Sequence, residues 1–203
     1  MGTKFHYKLF ALLLALNILT LFLFNQFLAH QQSCECIPIV DSLQQSLSPR
    51  NFSIILSPLT YLPVILFLIF SLKKPQRLNF FAVAYILIIC TRMFTIYFYP
   101  FCEPTGAIRL EDGILNTIFY PNGYCALDLF YSGHTATIFM LGLISPKPYR
   151  TILIVLSLVV GTLLVIQRVH YSIDVIVAFP MTLFCFEATK RIYKLICKDY
   201  FSN

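Results

Sequence analysis

The sequence predicts an all-α fold: a single polytopic membrane domain over residues 1–203, with six transmembrane helices and a histidine-based site at its extracytoplasmic face. Three observations predict it. The chain of 203 residues is 58% hydrophobic and only 12% charged, with a mean hydropathy of +0.77, whereas soluble domains carry about a quarter charged residues. Apolar runs of near 20 residues recur, and about 20 suffice to cross a hydrocarbon core of about 30 Å at about 1.5 Å per residue. The basic residues fall in small groups between these runs, so the net charge of +6 reflects topology and not a nucleic-acid partner. A cytosolic domain is excluded.

Taken in order, the first run is 9–29. It follows Lys4, His6 and Lys8, a flank that signal peptides share, but it exceeds a usual signal h-region and is read as a span. The loop after it holds Cys34, Cys36 and an Asn51-Phe52-Ser53 sequon that abuts the next span and carries little weight. Runs 52–72 and 78–97 are separated by Lys73, Lys74 and Arg77. Runs 127–144, 151–169 and 172–189 are nearly as long but interrupted by polar residues, as spans lining a polar cavity are. Pro49, Pro58, Pro63, Pro75, Pro100, Pro104, Pro146 and Pro148 mostly mark loop edges.

Six spans place both termini and the second and fourth loops on one side of the membrane. That side receives Lys4, Lys8, Lys73, Lys74, Arg77, Lys147, Arg150, Lys190, Arg191, Lys194 and Lys198, which is 11 of the 15 basic residues. The positive-inside rule makes it cytoplasmic. Glu35, Asp41, Glu103, Glu111, Asp112, Asp128 and Asp174 then fall outside or at the outer face. Cys102 and Cys125 bracket the second outer loop, where a bridge in an oxidising compartment and unpaired thiols are equally open readings. No cysteine spacing matches a zinc site.

Polar residues inside so apolar a chain are costly, and function is their default reading. Two clusters stand out: Asp128-Leu129-Phe130-Tyr131-Ser132-Gly133-His134-Thr135 and His170-Tyr171-Ser172-Ile173-Asp174-Val175. Residues four apart share a helix face, so Asp174 can hold the imidazole of His170. His134 reaches the same depth from another span, and Gly133 allows close backbone approach to a ligand. Two histidines, one backed by a carboxylate, suit transfer of a phosphoryl-bearing group between alcohols: one imidazole attacks phosphorus and the other moves the proton. Arg92 and Arg168 are the available guanidiniums for the phosphate. Helix N-terminal amides near Gly133 add to these. A lone histidine at a helix end is more often an interfacial cap, and two His with two Asp can hold a metal, so both readings stand beside the catalytic one.

These residues carry a resemblance. Asp128 to Thr135 resembles the pattern Asp-x-x-x-Ser-Gly-His-Thr, and His170 to Val175 resembles His-Tyr-Ser/Thr-x-Asp-Val, both of the sphingomyelin synthase family within the type 2 phosphatidic acid phosphatase superfamily. Arg92 with Thr95, Ile96 and Tyr97 is similar to the family's third-span motif, and Pro38-Ile39-Val40-Asp41 is weakly similar to its Pro-x-Pro-Asp segment. The resemblance implies a transferase, without metal, nucleotide or other cofactor, that moves phosphocholine or a related headgroup from a glycerophospholipid to ceramide and releases diacylglycerol. It implies His170 as nucleophile, Asp174 as its orienting partner and His134 as the acid and base. Asp128, Arg92, Ser132, Gly133, Tyr171 and Arg168 are then the expected substrate-binding residues.

The chain also departs from the family. It begins eight residues before the first expected span, where many eukaryotic members carry longer cytoplasmic ends; Leu127 replaces a glycine and Val40 a proline. The phosphatase motifs of the superfamily are not evident, yet a lipid phosphatase or a phospholipase C-like hydrolase would use the same histidines with water as acceptor. The headgroup is left open. Phe98, Tyr99, Tyr120 and Tyr131, with Glu103, Glu111 or Asp112, are candidates for a cation pocket, and the outer face could belong to the Golgi, the plasma membrane or a bacterial inner membrane.

Overall fold

The computed structural model describes residues 7–111 and 126–196. Its regular elements are helical: α1 (Tyr7–Gln31), α2 (Ser42–Gln45), α3 (Ser53–Ser71), α4 (Gln76–Phe98), α5 (Gly133–Ile144), α6 (Lys147–Ile166) and α7 (Ser172–Ile196). Five of them, α1, α3, α4, α6 and α7, are long and apolar enough to cross a membrane, and α5 is shorter at 12 residues. Leu12, Ile18, Phe22, Ile65, Ile69, Val155, Ile176 and Phe184 are among the large apolar side chains that face outward along them. In water so extensive an apolar exterior would be a liability, while in lipid it matches the solvent; these helices suggest an integral membrane protein.

α4 is the hub, packing against α1, α3, α5 and α7. Its apolar contacts run along its length: Ala84 and Ile88 join Tyr131, Ala136, Met140, Ala178 and Cys185 in one cluster, while Ile89 and Ile96 meet Phe24 and Leu28 of α1. Small residues let helix backbones approach where lipid offers no hydrophobic drive for association. One polar tie reinforces α1 on α4, Asn17 donating to the carbonyl of Ala82 at 3.1 Å. At the crossing of α6 and α7 a glycine is required: a Cβ on Gly161 would lie 2.5 Å from Cγ1 of Val175 and 3.2 Å from Oγ1 of Thr135.

The structure redraws several expected elements. The fourth run, expected as a span over 127–144, becomes helical only at Gly133. Residues 127–132 are instead a buried non-helical segment, apolar because it is enclosed by neighbouring helices. α6 starts at Lys147, earlier than expected, with proline tolerated in its first turn. α7 starts at the expected Ser172 but continues through its basic end. Pro58 and Pro63 lie inside α3, not at a loop edge.

The loop before α3 is stapled to the segment after α4. Ile37 and Phe101 form a parallel bridge, and Cys36 is disulfide-bonded to Cys102. Cys102 therefore does not pair with Cys125, which lies outside the described residues. A link across 66 residues of sequence disfavours the unfolded chain by about 4 kcal/mol on the chain-entropy account.

The crossing at Gly161 yields a stability test. Gly161→Ala is expected to destabilise by about 1–3 kcal/mol, because Val175 is β-branched and stiff. Val175→Ala in the same chain should recover much of the loss, as read by thermal unfolding in detergent; an unchanged Tm for Gly161→Ala would refute the close approach.

Candidate active site

Both histidines sit at one end of the bundle, each on backbone that is not yet, or only just, helical. His134 is the second residue of α5. Ser132 caps that helix, its Oγ accepting from the Thr135 amide at 3.4 Å. His170 lies in the turn between α6 and α7, two residues before α7 begins. The two imidazole rings stand 6.4 Å apart between centroids, inclined at 67°. His170 is 3% exposed and His134 is half-buried.

Asp174 backs His170, with Oδ2 at 3.4 Å from Nδ1. The spacing of four residues is the expected one, but the contact spans the start of α7 instead of lying along one helix face. The same oxygen accepts from the Tyr171 amide at 2.8 Å, so the carboxylate also caps the helix, where the dipole favours an anion. A proton on Nδ1, the nitrogen facing the carboxylate, leaves Nε2 with the lone pair. The two motifs are joined directly: the Ser132 amide donates to the Asp174 carbonyl at 3.1 Å.

Arg92 and Asp128 form a buried ion pair, Nη2 to Oδ1 at 2.5 Å. Arg92 Nε donates to the Tyr131 carbonyl at 2.9 Å, and Thr95 Oγ1 donates to the Phe130 carbonyl at 2.8 Å. α4 thus holds the segment that delivers His134. The guanidinium occupies the space of the absent Gly133 side chain, since a Cβ there would lie 2.7 Å from Nη1. The close approach that Gly133 permits is therefore to Arg92. Arg168, expected near the phosphate, has a left-handed backbone (φ 62°) and donates to the carbonyls of Thr105 and Leu47, tying two loops together.

Tyr171 is buried, and its hydroxyl donates to the carbonyl of Cys102 at 2.9 Å. Ser132 is fully buried as a cap. Of the rings proposed for a cation pocket, Tyr131 is wholly enclosed, with its hydroxyl 2.8 Å from Thr91 Oγ1. Phe98 and Tyr99 are exposed; Tyr120 and Asp112 lie outside the described residues. Among the described residues no three His, Cys, Asp or Glu side chains gather into a metal-binding set.

The structure adds Gln44 and Gln167, which the sequence did not single out, and gives Asp41 of the first-loop segment its partners. Gln44 of α2 donates to the carbonyls of His170 at 2.9 Å and Val165 at 3.3 Å. Buried Gln167 donates to Ser53 Oγ and the Ile108 carbonyl, and accepts from the Phe52 amide. Asp41 accepts from the amides of Gln44 at 3.0 Å and Ser172 at 2.6 Å. Burial pushes the Asp41 carboxyl up, but these hydrogen bonds outweigh it and hold the group below its ordinary value of 3.8. The sequence signal of Gln44 and Gln167 is an amide side chain in a short loop beside an apolar run, which many loops share.

Residues 124–192 match the family model described as PAP2 superfamily C-terminal. The matched stretch contains both histidine motifs, and over it the chain is similar to the PAP2 superfamily. Comparison with curated proteins gives no match.

Two tests follow from this geometry. Asp128→Leu alone should cost about 3–5 kcal/mol by leaving Arg92 buried without its counter-charge. In a cycle with Arg92→Met the coupling should exceed about 1 kcal/mol, and additive effects would argue against the pair. For Asp41, a lowered folded pKa means stability present above the ordinary 3.8 and lost as pH falls through the folded value. The Tm difference between wild type and Asp41→Asn should be constant near neutrality and shrink below about pH 4; a gap unchanged with acidification would contradict the hydrogen bonds.

Proposed function

We propose that this protein is a phospholipid headgroup transferase that moves phosphocholine, or the ethanolamine or inositol equivalent, from a glycerophospholipid to ceramide and releases diacylglycerol. The observation that carries the proposal is the pair of histidine rings 6.4 Å apart with Asp174 behind one of them. His170 Nε2 attacks phosphorus, forming a P–N bond as the P–O bond to diacylglycerol breaks. His134, protonated, donates its proton to the departing oxygen. In the second half His134 takes the proton from the primary hydroxyl of ceramide, whose oxygen attacks phosphorus and breaks the P–N bond, restoring both imidazoles.

The surrounding charge favours a phosphodiester over the phosphomonoester of a lipid phosphatase. Arg92 shares its charge with Asp128, and Arg168 is directed to loop carbonyls. A diester carries one negative charge and asks less cationic compensation than a dianionic monoester. We further propose that the histidine end faces away from the cytoplasm. Lys73 and Lys74 between α3 and α4, Arg77 in the first turn of α4, Lys147 and Arg150 at the start of α6, and Lys190, Arg191 and Lys194 late in α7 mark the opposite end, and the positive-inside rule keeps it cytoplasmic.

The test uses detergent-solubilised protein and phosphatidylcholine labelled in its headgroup, with and without ceramide, repeated with ethanolamine and inositol donors and in the presence of a chelator. Label on ceramide with at least one donor is the expected result. Label released only as the free phosphorylated headgroup would replace the transferase with a hydrolase. His170→Ala should abolish turnover and His134→Ala should lower it by about 10²–10⁴-fold, both as folded proteins; activity retained in His170→Ala would overturn the assignment of the nucleophile.

A further inference from the structure

We infer that Gln44 is a positioning residue for His170, an inference that rests on the reading of His170 as the nucleophile. Gln44 lies on the one-turn helix α2, 126 residues away in sequence from the histidine whose carbonyl it contacts. Its side chain is nearly enclosed, at 5% exposure. One amide nitrogen donates to both the Val165 carbonyl at the end of α6 and the His170 carbonyl just before α7. It therefore spans the corner on which the imidazole is mounted, and fixes the angle at which His170 leaves α6.

The corner needs that support. The His170 amide reaches the Leu164 carbonyl at a long 3.4 Å, and the contact of its ring with Asp174 is equally long at 3.4 Å. Neither is at the distance of a strong hydrogen bond, so a small shift of the corner moves the nucleophilic nitrogen. α2 is itself seated from two sides: Asp41 accepts from the Gln44 amide and from the Ser172 amide at the start of α7. The disulfide between Cys36 and Cys102 and the bond from the Tyr171 hydroxyl to the Cys102 carbonyl close the strap behind the histidine. Displacement of a reacting group by about 1 Å can cost about 10²-fold in rate, whereas loss of a remote structural bond would act on the folded fraction.

The experiment compares wild type with Gln44→Met, which keeps length and removes both donors, and with Lys190→Ala at the far end of α7 as a control. It measures kcat, KM, Tm, and the single-turnover rate at which labelled headgroup appears on His170. Gln44→Met is expected to lower kcat and the labelling rate together by about 10- to 100-fold, with KM within about twofold and the number of labelled sites unchanged, and the control should behave as wild type. Wild-type kcat in folded Gln44→Met overturns the inference, and so does a loss that follows only the number of labelled sites. If Gln44→Met does not fold, Gln44→Asn keeps the amide but shortens its reach, and a wild-type kcat in that variant overturns the inference equally. His170→Ala separates the two readings: turnover without His170 removes the proposed function, whereas an inactive His170→Ala beside a fully active Gln44→Met removes only the role of Gln44.

Discussion

Backbone polar groups inside an apolar bundle must find partners within the protein, and a helix provides them without help from side chains. The histidine end of this molecule gives up that solution twice, at 127–132 and at 167–171. Each unsatisfied group there would cost several kcal/mol in hydrocarbon. The structure meets the cost with groups from other elements: Thr95 and Arg92 take the carbonyls of Phe130 and Tyr131, Gln44 takes those of Val165 and His170, and the Ile108 amide takes that of Gln167. Both histidines are mounted on these irregular segments or immediately beside them. The irregularity frees each imidazole from a helix face, and the borrowed partners keep it in place.

The two mounts are not independent. The amide of Ser132 donates to the carbonyl of Asp174, so the cap of one helix is bonded to the residue that backs the other histidine. Beneath that bond Gly161 brings α6 against both Thr135 and Val175. A displacement of either helix is therefore felt at both rings. On the outside, Asp41, Gln44 and the Cys36–Cys102 link join the first loop to the same region. The relative position of the histidines thus depends on chain segments from the first loop to α7, which makes a membrane domain of this size reasonable for so small a reacting centre.

Five of the spans were legible because hydropathy over about 20 residues is a strong signal and lipid leaves few alternatives to the helix. In the fourth the helix starts later than the apolar run for a physical reason: Leu127, Leu129 and Tyr131 are apolar because neighbouring helices enclose them, and composition does not separate burial in protein from burial in lipid. The spacing of His170 and Asp174 brought the right pair together by the wrong geometry, since the contact crosses the start of α7. Arg92 and Asp128 were each recognised as costly, but their pairing depends on how α4 crosses the segment before α5. Cys102 had two open readings because a disulfide depends on loop proximity, not spacing. Gln44 was illegible, since an amide in a short loop reveals nothing about a carbonyl 126 residues away.

The caps also bear on where an anionic phosphate would be drawn. α5 and α7 both begin at the histidine end, and each helix start carries a partial positive charge of about half a unit. At α7 that charge is already answered by two carboxylates, Asp174 on the Tyr171 amide and Asp41 on the Ser172 amide. At α5 the cap is the neutral hydroxyl of Ser132, which satisfies an amide without cancelling the field. Under the proposed mechanism a phosphate would be drawn to the start of α5, beside His134, while His170 stands in the turn before α7, whose field is answered by its own capping carboxylates. The unequal capping gives the two histidines different surroundings, as the proposed attacking group and proton carrier would require.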